Sequence, residues 1–446
     1  MDHLILSKPG KKTNCTIQLT GSKSESNRAL ILNALSEGKV KIKNLSSADD
    51  TVTLAGVLKE VEGERLKVKG ESVGAHDSGG FSHLTSHISH PPSVDIGPAG
   101  TAMRFLTAYF AATGSEVVLT GSARMKQRPI GILVDALEGL GAEIEYVENE
   151  GFPPLQFKSP FEQKTDQISI KGNISSQFIT ALLLVAPSLP QGLTLTIEGE
   201  LTSRPYVEMT LAMLKEAGIE YHWDDSVISI SPQQFKDSEI TIEPDWSAAS
   251  YWYSIAALSN EGSVKLPYLK ESSLQGDSRI AEIMENFGIT SEFTPDGLKL
   301  ERTTTPLSLT RPNLPNGLGK FFDLKDCPDL AQTVIVCAAA LSHNATFTGL
   351  ETLKIKETDR IAALQNELSK IGVYLNEDNE CYHLDCSNLH FPEKITIKTY
   401  DDHRMAMAFA PLALKIKQVE IEEPEVVGKS YPMFWEHLKH AGFEIE

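Results

Sequence analysis

The chain has 446 residues, of which 41% are hydrophobic and 23% are charged, and its formal net charge is −19. This length predicts two or more domains, and the acidic balance argues against general binding of nucleic acids or anionic membranes, which requires a broad basic surface. No apolar run reaches the roughly 18 residues of a membrane span, and the start lacks a signal-peptide pattern. Five cysteines without a CxxC pair argue against a disulfide framework or a zinc site, so we expect a cytoplasmic protein.

Along the chain, a helix that ends at glycine and passes into a strand is predicted repeatedly. Glycine in that position is typical of a left-handed helix cap. Five clear copies span residues 136–146, 214–223, 283–293, 367–377 and 437–446, and a weaker copy spans 56–68. Each unit also contains a second helix that is apolar around its circumference, such as SSQFITALLLVAP, and this helix should therefore be buried.

These elements predict an α/β protein made of six β-α-β-α-β-β units, three in each of two domains. We place the boundaries near 19–21 and 241–250, where strands end and new helices begin. One domain then consists of residues 1–20 plus 243–446 and carries both termini, while residues 21–242 form an inserted domain. The polar starts of the buried helices would converge in the cleft between the two domains.

Several of the scarce positive charges stand at these helix starts. A helix N-terminus offers unpaired N–H groups and a partial positive charge, so a nearby Lys or Arg completes a site for an anion. An acidic protein with several such sites is predicted to bind a small, multiply charged anion. The cations are Lys23, Arg28, Arg124, Arg128, Lys356, Arg360 and Arg404.

Nine motifs, in one order over most of the chain, resemble the 5-enolpyruvylshikimate-3-phosphate (EPSP) synthase family. This resemblance implies a two-domain inside-out α/β barrel of the enolpyruvyl transferase type. It also implies transfer of the enolpyruvyl group of phosphoenolpyruvate to the 5-hydroxyl of shikimate 3-phosphate, a step of chorismate and aromatic amino acid biosynthesis, by a monomer without a cofactor or metal. The motifs are TGSKSESNRALILNAL, IGPAGTAMRFL, LTGSARMKQRPI, NISSQFITALL, GELTSRPYVEMT, DLKDCPDLAQT, KETDRI, DDHRMAMAF and VGKSYP.

The same resemblance assigns the binding residues. Arg forks and Lys point charges are the groups that would neutralise the phosphates and carboxylates of both substrates. The residues assigned to shikimate 3-phosphate are Lys23, Ser24, Arg28, Ser175, Ser176, Gln177, Ser203, Tyr206, Asp329 and Lys356. The residues assigned to phosphoenolpyruvate are Lys23, Gly100, Arg128, Gln177, Arg360, Arg404 and Lys429.

Three residues are the catalytic candidates. By resemblance, Asp329 is the base that takes the 5-hydroxyl proton, and Glu357 donates a proton to C3 of phosphoenolpyruvate, with Lys23 as the competing donor. A carboxylic acid donates a proton at neutral pH only if its pKa is raised, for example by burial.

Two departures from the family pattern stand out. Pro98 occupies the position of an Asn, which removes an amide side chain and stiffens the turn. Just before Lys356 the family often has Asn and Arg, whereas this chain has Thr352 and Lys354. Lys354 keeps a positive charge, but its ammonium cannot form the bidentate contact of a guanidinium.

Three alternatives remain open at this point. The loop 71–93 carries His76, His83, His87 and His90 and is predicted to be a polar surface hairpin, with zinc binding as the alternative. A transferase acting on UDP-N-acetylglucosamine shares the fold, but this chain has no Cys between 16 and 326, where that family carries one. The third alternative is a silent binder, that is, a protein that binds phosphorylated metabolites without catalysing a reaction. Such a protein would gain nothing from carboxylates, here Asp329 and Glu357, placed beside its anionic ligands.

Overall fold

The computed structural model of the chain describes residues 3–73, 91–158, 160–303 and 320–446. The helices are α1 (Lys23–Leu35), α2 (Asp49–Val73), α3 (Gly100–Thr113), α4 (Gly131–Leu140), α5 (Ser176–Val185), α6 (Arg204–Glu216), α7 (Trp246–Leu258), α8 (Ile280–Glu285), α9 (Ala331–Ala340), α10 (Arg360–Ser369), α11 (His403–Phe409) and α12 (Phe434–His440). The strands are β1 (His3–Ser7), β2 (Lys12–Thr16), β3 (Val40–Lys43), β4 (Ser93–Asp95), β5 (Val117–Thr120), β6 (Glu143–Tyr146), β7 (Leu155–Lys158), β8 (Gln167–Lys171), β9 (Leu193–Glu198), β10 (His222–Asp224), β11 (Val227–Ile230), β12 (Ser238–Thr241), β13 (Glu261–Pro267), β14 (Ile289–Thr294), β15 (Gly297–Arg302), β16 (Lys320–Asp323), β17 (Ala345–Thr348), β18 (Tyr374–Asp378), β19 (Cys381–Asp385), β20 (Lys394–Ile397), β21 (Gln418–Glu422) and β22 (Glu444–Ile445).

The predicted β-α-β-α-β-β unit is confirmed. In chain order β4, α3, β5, α4, β6 and β7 form one unit, whose sheet has the strand order β4-β5-β7-β6. β4 and β5 are parallel, as a helical crossover between them requires, and the last two strands form an antiparallel hairpin. The same order recurs in β8-β9-β11-β10 and in β16-β17-β19-β18.

The N-terminal strands complete sheets formed mainly by distant parts of the chain. β1 pairs antiparallel with β21, and β2 pairs parallel with β13. The chain then crosses next to its own return path, where Ser22 N donates to Glu243 O at 2.8 Å and Asp245 N donates to Thr20 O at 3.0 Å. Two neighbouring crossings therefore connect residues 21–242, here called the central half, to the remaining residues, called the terminal half.

Each half has its own hydrophobic core. One core contains buried residues between Ala29 and Ile242, and the other contains Leu4 to Leu19 together with Trp246 to Phe443. Helices α3, α5, α7, α9 and α11 are almost entirely buried, as their apolar circumference predicts.

The predicted helix ends are also confirmed at five glycines, all with positive φ. A left-handed backbone costs glycine little because it has no Cβ. The weaker copy at 56–68 is wrong, because α2 continues as one helix to Val73. The glycines are Gly141, Gly218, Gly288, Gly372 and Gly442.

Candidate active site

A cavity of about 560 Å³ lies between the two halves and collects nearly all the predicted site residues. Among the predicted site residues, only Lys429 does not line the cavity. Its Nζ lies 3.0 Å from Oε1 of Glu357, and Glu357 is a lining residue. The predicted residues that line the cavity are Lys23, Ser24, Arg28, Gly100, Arg128, Ser175, Ser176, Gln177, Ser203, Tyr206, Asp329, Lys356, Glu357, Arg360 and Arg404.

The first turn of α1 brings Lys23 to the point where the two halves meet. Ser22 caps this helix, and the backbone N of Lys23 donates to Asp245 Oδ2 of the terminal half at 3.1 Å. The Nζ of Lys23 lies 3.2 Å from Asp50 Oδ2 and is largely buried. The backbone of Lys23 is therefore held by a carboxylate of the terminal half, and its ammonium by a carboxylate of the central half.

Arg28 is a buried cation that is held mainly by neutral groups. Its Nε donates to Thr210 Oγ1 at 2.9 Å, and its Nη1 donates to Ser24 O at 2.7 Å. Burial lowers the pKa of Arg28 to about 10, and the Tyr206 and Glu25 groups only partly offset this effect. Among the described residues, no carboxylate forms an ion pair with Arg28, so this guanidinium is suited to an anionic ligand.

The starts of α5 and α6 supply hydroxyl and amide groups to the same side of the cavity. Ser175 caps α5, with its Oγ accepting from Gln177 N at 3.4 Å, and Gln177 Nε2 donates to Thr101 Oγ1 at 3.2 Å. Ser203 precedes α6 with φ of 55°, and Tyr206 lies in the first turn. Helix-start amides and hydroxyls suit a phosphate without adding charge.

Gly100 allows an arginine to approach the start of α3. A Cβ added at Gly100 would lie 2.4 Å from Arg128 Nη1, so only glycine leaves the guanidinium in this place. Arg128 and the first amides of α3 thus face one region of the cavity, and this combination is suited to a carboxylate or a phosphate.

An ion-pair network fills the terminal-half side of the cavity. The buried Arg360 donates to three carboxylates: Asp402 Oδ2 at 2.7 Å, Glu357 Oε2 at 2.9 Å and Asp329 Oδ1 at 3.2 Å. Arg404 Nη2 donates to the second oxygen of Asp329 at 2.8 Å.

The network lowers the pKa of both candidate catalytic carboxyls. Burial would raise the pKa of Asp329, but the charges of Arg404, Lys356, Arg360 and Lys23 outweigh it and hold that pKa below its usual range. Burial likewise opposes the charges of Lys429, Arg360 and Arg128 at Glu357, and these charges hold its pKa well below the usual range. The neighbouring cations thus favour the ionised form of both groups in the protein without substrates, which is opposite to the raised pKa that burial alone would give.

Sequence reasoning missed several residues of the cavity. Arg104 lines it with its Nη2 donating to Pro129 O at 3.0 Å, and burial lowers its pKa strongly. It lies four residues after Gly100, on the same helix face, so its spacing was an available clue. Asp50, Thr101 and His403 also line the cavity, and nothing in the pattern indicated Asp50.

The two departures from the family pattern have different consequences. Pro98 lacks an N–H, but its carbonyl accepts from Lys429 Nζ at 3.1 Å, which links the two halves. Lys354 does not line the cavity, and its Nζ donates to both oxygens of Glu377 at 2.8 Å. Thr352 lines the cavity in its place.

The described residues contain no helix that is long and apolar enough to span a membrane. Within the same ranges, no group of three or more His, Cys, Asp or Glu side chains is arranged to hold a metal ion. The histidines of the predicted 71–93 loop lie outside the described residues.

Solved structures define the class of protein. An EPSP synthase from Acinetobacter baumannii aligns with a TM-score of 0.73 and 19% identity, with 100% of each chain covered. An enolpyruvyl transferase from Streptomyces tendae aligns with a TM-score of 0.67 and 14% identity, covering 100% of this chain and 98% of that one. The chain therefore has the enolpyruvyl transferase fold.

Sequence comparison defines the family. The family model described as EPSP synthase (3-phosphoshikimate 1-carboxyvinyltransferase) matches residues 7–438. A 3-phosphoshikimate 1-carboxyvinyltransferase from Bacteroides fragilis (strain YCH46) is 44% identical over 444 residues, covering 99% of this chain and 98% of the relative. One from Escherichia coli (strain SMS-3-5 / SECEC) is 36% identical over 450 residues, covering 98% of each. The chain belongs to the EPSP synthase family.

Proposed function

We propose that the protein is a 3-phosphoshikimate 1-carboxyvinyltransferase (EC 2.5.1.19). It transfers the enolpyruvyl group of phosphoenolpyruvate to the 5-hydroxyl of shikimate 3-phosphate and releases phosphate, through addition and elimination. The observation that carries the proposal, beside family membership, is the pair Asp329 and Glu357 fixed by Arg360 within one cationic cavity. A silent anion binder has no use for two carboxylates at the anion site.

The two substrates occupy different walls of the cavity in this proposal. Shikimate 3-phosphate binds to the central-half polar groups around Arg28 and Ser176 and reaches Asp329 and Lys356 in the terminal half. Phosphoenolpyruvate binds between Arg128 and the terminal-half cations. The shikimate 3-phosphate set is Lys23, Ser24, Arg28, Ser175, Ser176, Gln177, Ser203, Tyr206, Asp329 and Lys356, and the phosphoenolpyruvate set is Lys23, Gly100, Arg128, Gln177, Arg360, Arg404 and Lys429.

Asp329 is the proposed base. Its depressed pKa keeps it ionised at neutral pH, and both of its oxygens are oriented by arginines. The 5-hydroxyl gives its proton to Asp329 while its oxygen attacks C2 of phosphoenolpyruvate. In the second step this proton leaves with phosphate, and the surrounding cations stabilise the charge on the leaving group.

Glu357 is the proposed donor to C3, and it takes up the proton from solvent when phosphoenolpyruvate binds. The cations that depress its pKa are Lys429, Arg360 and Arg128, which are among the proposed phosphoenolpyruvate ligands. A bound anion neutralises those cations, so the pKa of Glu357 rises on binding. Glu357 then protonates C3 and takes a proton back from that carbon when phosphate leaves.

The protein is proposed to act as a monomer in the cytoplasm, with residues 21–242 as one domain and residues 1–20 plus 243–446 as the other. The two separate cores support this division, and one chain supplies both walls of the cavity. All five cysteines are free thiols, as suits a reducing compartment.

The test is phosphate release from phosphoenolpyruvate with and without shikimate 3-phosphate, in the absence of added metal. We expect release only when both substrates are present, and a loss of about a hundredfold or more in kcat for Asp329→Asn. Asp326→Asn, three residues away and outside the cavity lining, is the matched control. Binding of both substrates without release would favour a silent binder, and release only with UDP-N-acetylglucosamine would favour the other transferase.

A further inference from the structure

Arg124 is a cation of the predicted anion sites that does not line the cavity. It precedes the short 3-10 helix Met125–Gln127 of the central half and is exposed. Its Nε donates to Glu357 O at 3.1 Å, its Nη2 donates to Lys356 O at 3.1 Å, and its Nη1 approaches Gln127 Oε1 at 3.5 Å. The guanidinium of Arg124 is thus directed at the main chain of the terminal half.

The two acceptor carbonyls belong to residues whose side chains line the cavity. Lys356 and Glu357 lie between the 3-10 helix Glu351–Ile355 and α10, so helical hydrogen bonds do not fix their backbone. The side chain of Glu357 is held by Arg360 and Lys429. Arg124, which belongs to the opposite half of the molecule, also restrains the backbone of these residues through its two hydrogen bonds.

We propose that Arg124 is a positioning residue, a latch across the cleft that fixes the backbone of Lys356 and Glu357 for catalysis when the two halves close. This inference rests on the proposed function. Arg124 touches neither substrate, and it acts through the placement of the Lys356 ammonium and the Glu357 carboxyl. A guanidinium fork reaches two consecutive carbonyls at once, whereas a lysine ammonium provides a single point charge.

The latch gives a kinetic pattern that differs from that of a substrate ligand. Removing the fork lets residues 356–357 move, so kcat falls while the Michaelis constant for phosphoenolpyruvate changes little. A misplaced donor typically costs about one to two powers of ten in rate. Glu357 also moves away from Lys429, Arg360 and Arg128, so the limb of the kcat profile that follows its titration shifts to higher pH.

The experiment compares Arg124→Ala, Arg124→Lys and Lys126→Ala with the wild type, after phosphate release that depends on shikimate 3-phosphate has been measured for the wild type. Lys126 is the matched control, because it lies on the same 3-10 helix and pairs with Glu148 of its own half at 2.5 Å. We expect kcat to fall about tenfold to a hundredfold in Arg124→Ala and less in Arg124→Lys, with Lys126→Ala unchanged.

The outcomes separate the two proposals. A wild type without release contradicts the proposed function, irrespective of Arg124. An active wild type with kcat and pH profile unchanged in Arg124→Ala overturns the latch. A rise confined to the Michaelis constant for phosphoenolpyruvate also overturns it, because Arg124 would then be a substrate ligand. Because Arg124 is exposed, unfolding of the alanine variant is not expected, and Arg124→Lys provides the same test independently.

Discussion

The protonation state of Glu357 depends on residues far apart in the sequence. Lys429 follows Glu357 by 72 positions, and Arg128 lies in the other half of the molecule, yet both approach the same carboxylate oxygen, at 3.0 and 3.9 Å. An isolated KETDR segment gives no indication of these neighbours. Burial alone would have raised the pKa of Glu357, and the surrounding cations reverse that direction.

Glu357→Gln should abolish most of the turnover while keeping substrate binding. Glutamine preserves the shape and one acceptor oxygen, but it cannot deliver a proton to C3. We expect kcat to fall by about two to four powers of ten, with no loss of phosphoenolpyruvate affinity, because a negative charge beside the anion site is removed. Steady-state kinetics of phosphate release together with equilibrium binding would measure both quantities.

Glu377→Gln is the control, since Glu377 pairs with Lys354 on the surface. Turnover of Glu357→Gln within a fewfold of the wild type would exclude Glu357 as the donor and favour Lys23.

Glu25 is a buried carboxyl where α1 of the central half meets the terminal half. Its Oε1 accepts from Gln275 Nε2 at 2.8 Å, and its Oε2 accepts from Glu243 N at 3.1 Å. Burial raises its pKa from 4.5 to about 7; the charge of Glu243 adds to this rise, while both hydrogen bonds and Lys270 oppose it.

The raised pKa makes folding depend on pH. Between about pH 4.5 and 7 the folded chain binds more protons at Glu25 than the unfolded chain, so this contribution to stability is lost as the pH rises through that window. Glu25→Gln cannot titrate, so its stability relative to the wild type should increase by about 2 to 3 kcal/mol from pH 5 to pH 8. Urea unfolding at the two pH values measures this difference.

Glu239→Gln removes an exposed carboxylate paired with Lys43 and should differ from the wild type by the same amount at both pH values. A Glu25→Gln difference that is equally independent of pH would contradict the titration of Glu25.

At the level of elements, the start of α3 depends on the absence of a side chain at Gly100. In Gly100→Ala the new methyl group displaces the guanidinium of Arg128 rather than the backbone, because Arg128 Nη1 is the atom 2.4 Å away. Stability should change little, while the Michaelis constant for phosphoenolpyruvate rises about tenfold or more as the arginine loses its position. Thermal unfolding and steady-state kinetics check the two statements separately.

Gly56→Ala in α2 is the matched control, because a Cβ there meets no atom within 4 Å. Equal Michaelis constants for Gly100→Ala and the wild type would show that phosphoenolpyruvate binding does not depend on the present position of the Arg128 guanidinium.

The elements themselves could largely be predicted from the sequence, and the exceptions have physical reasons. Repeated glycines and buried helices gave the correct unit because a left-handed cap and an apolar circumference are local properties. The copy at 56–68 failed because Gly63 can continue a helix as well as end one, and α2 continues to Val73. Asp50 could not be found, because its role depends on the proximity of Lys23 across the α1–α2 contact.

At the level of the whole molecule, the proposed ligands for shikimate 3-phosphate lie on both sides of the cleft. Arg28 and Ser176 belong to the central half, and Asp329 and Lys356 belong to the terminal half. The contacts between Arg124 and the 356–357 backbone, and between Lys429 and Pro98, also cross the cleft. Within the described residues, two neighbouring chain crossings connect the halves, so rotation about them is the expected motion.

Binding of shikimate 3-phosphate should therefore draw the halves together. The bound substrate would contact Arg28 on the central-half wall and Lys356 on the terminal-half wall at the same time, and this bridging favours the closed arrangement. We expect the radius of gyration in small-angle X-ray scattering to fall towards the roughly 22 Å of a compact chain of this length. Inorganic phosphate is the control, because it supplies an anion that is too small to bridge the two walls and should cause less compaction. An unchanged radius at saturating shikimate 3-phosphate would mean that the site is already assembled in the free protein.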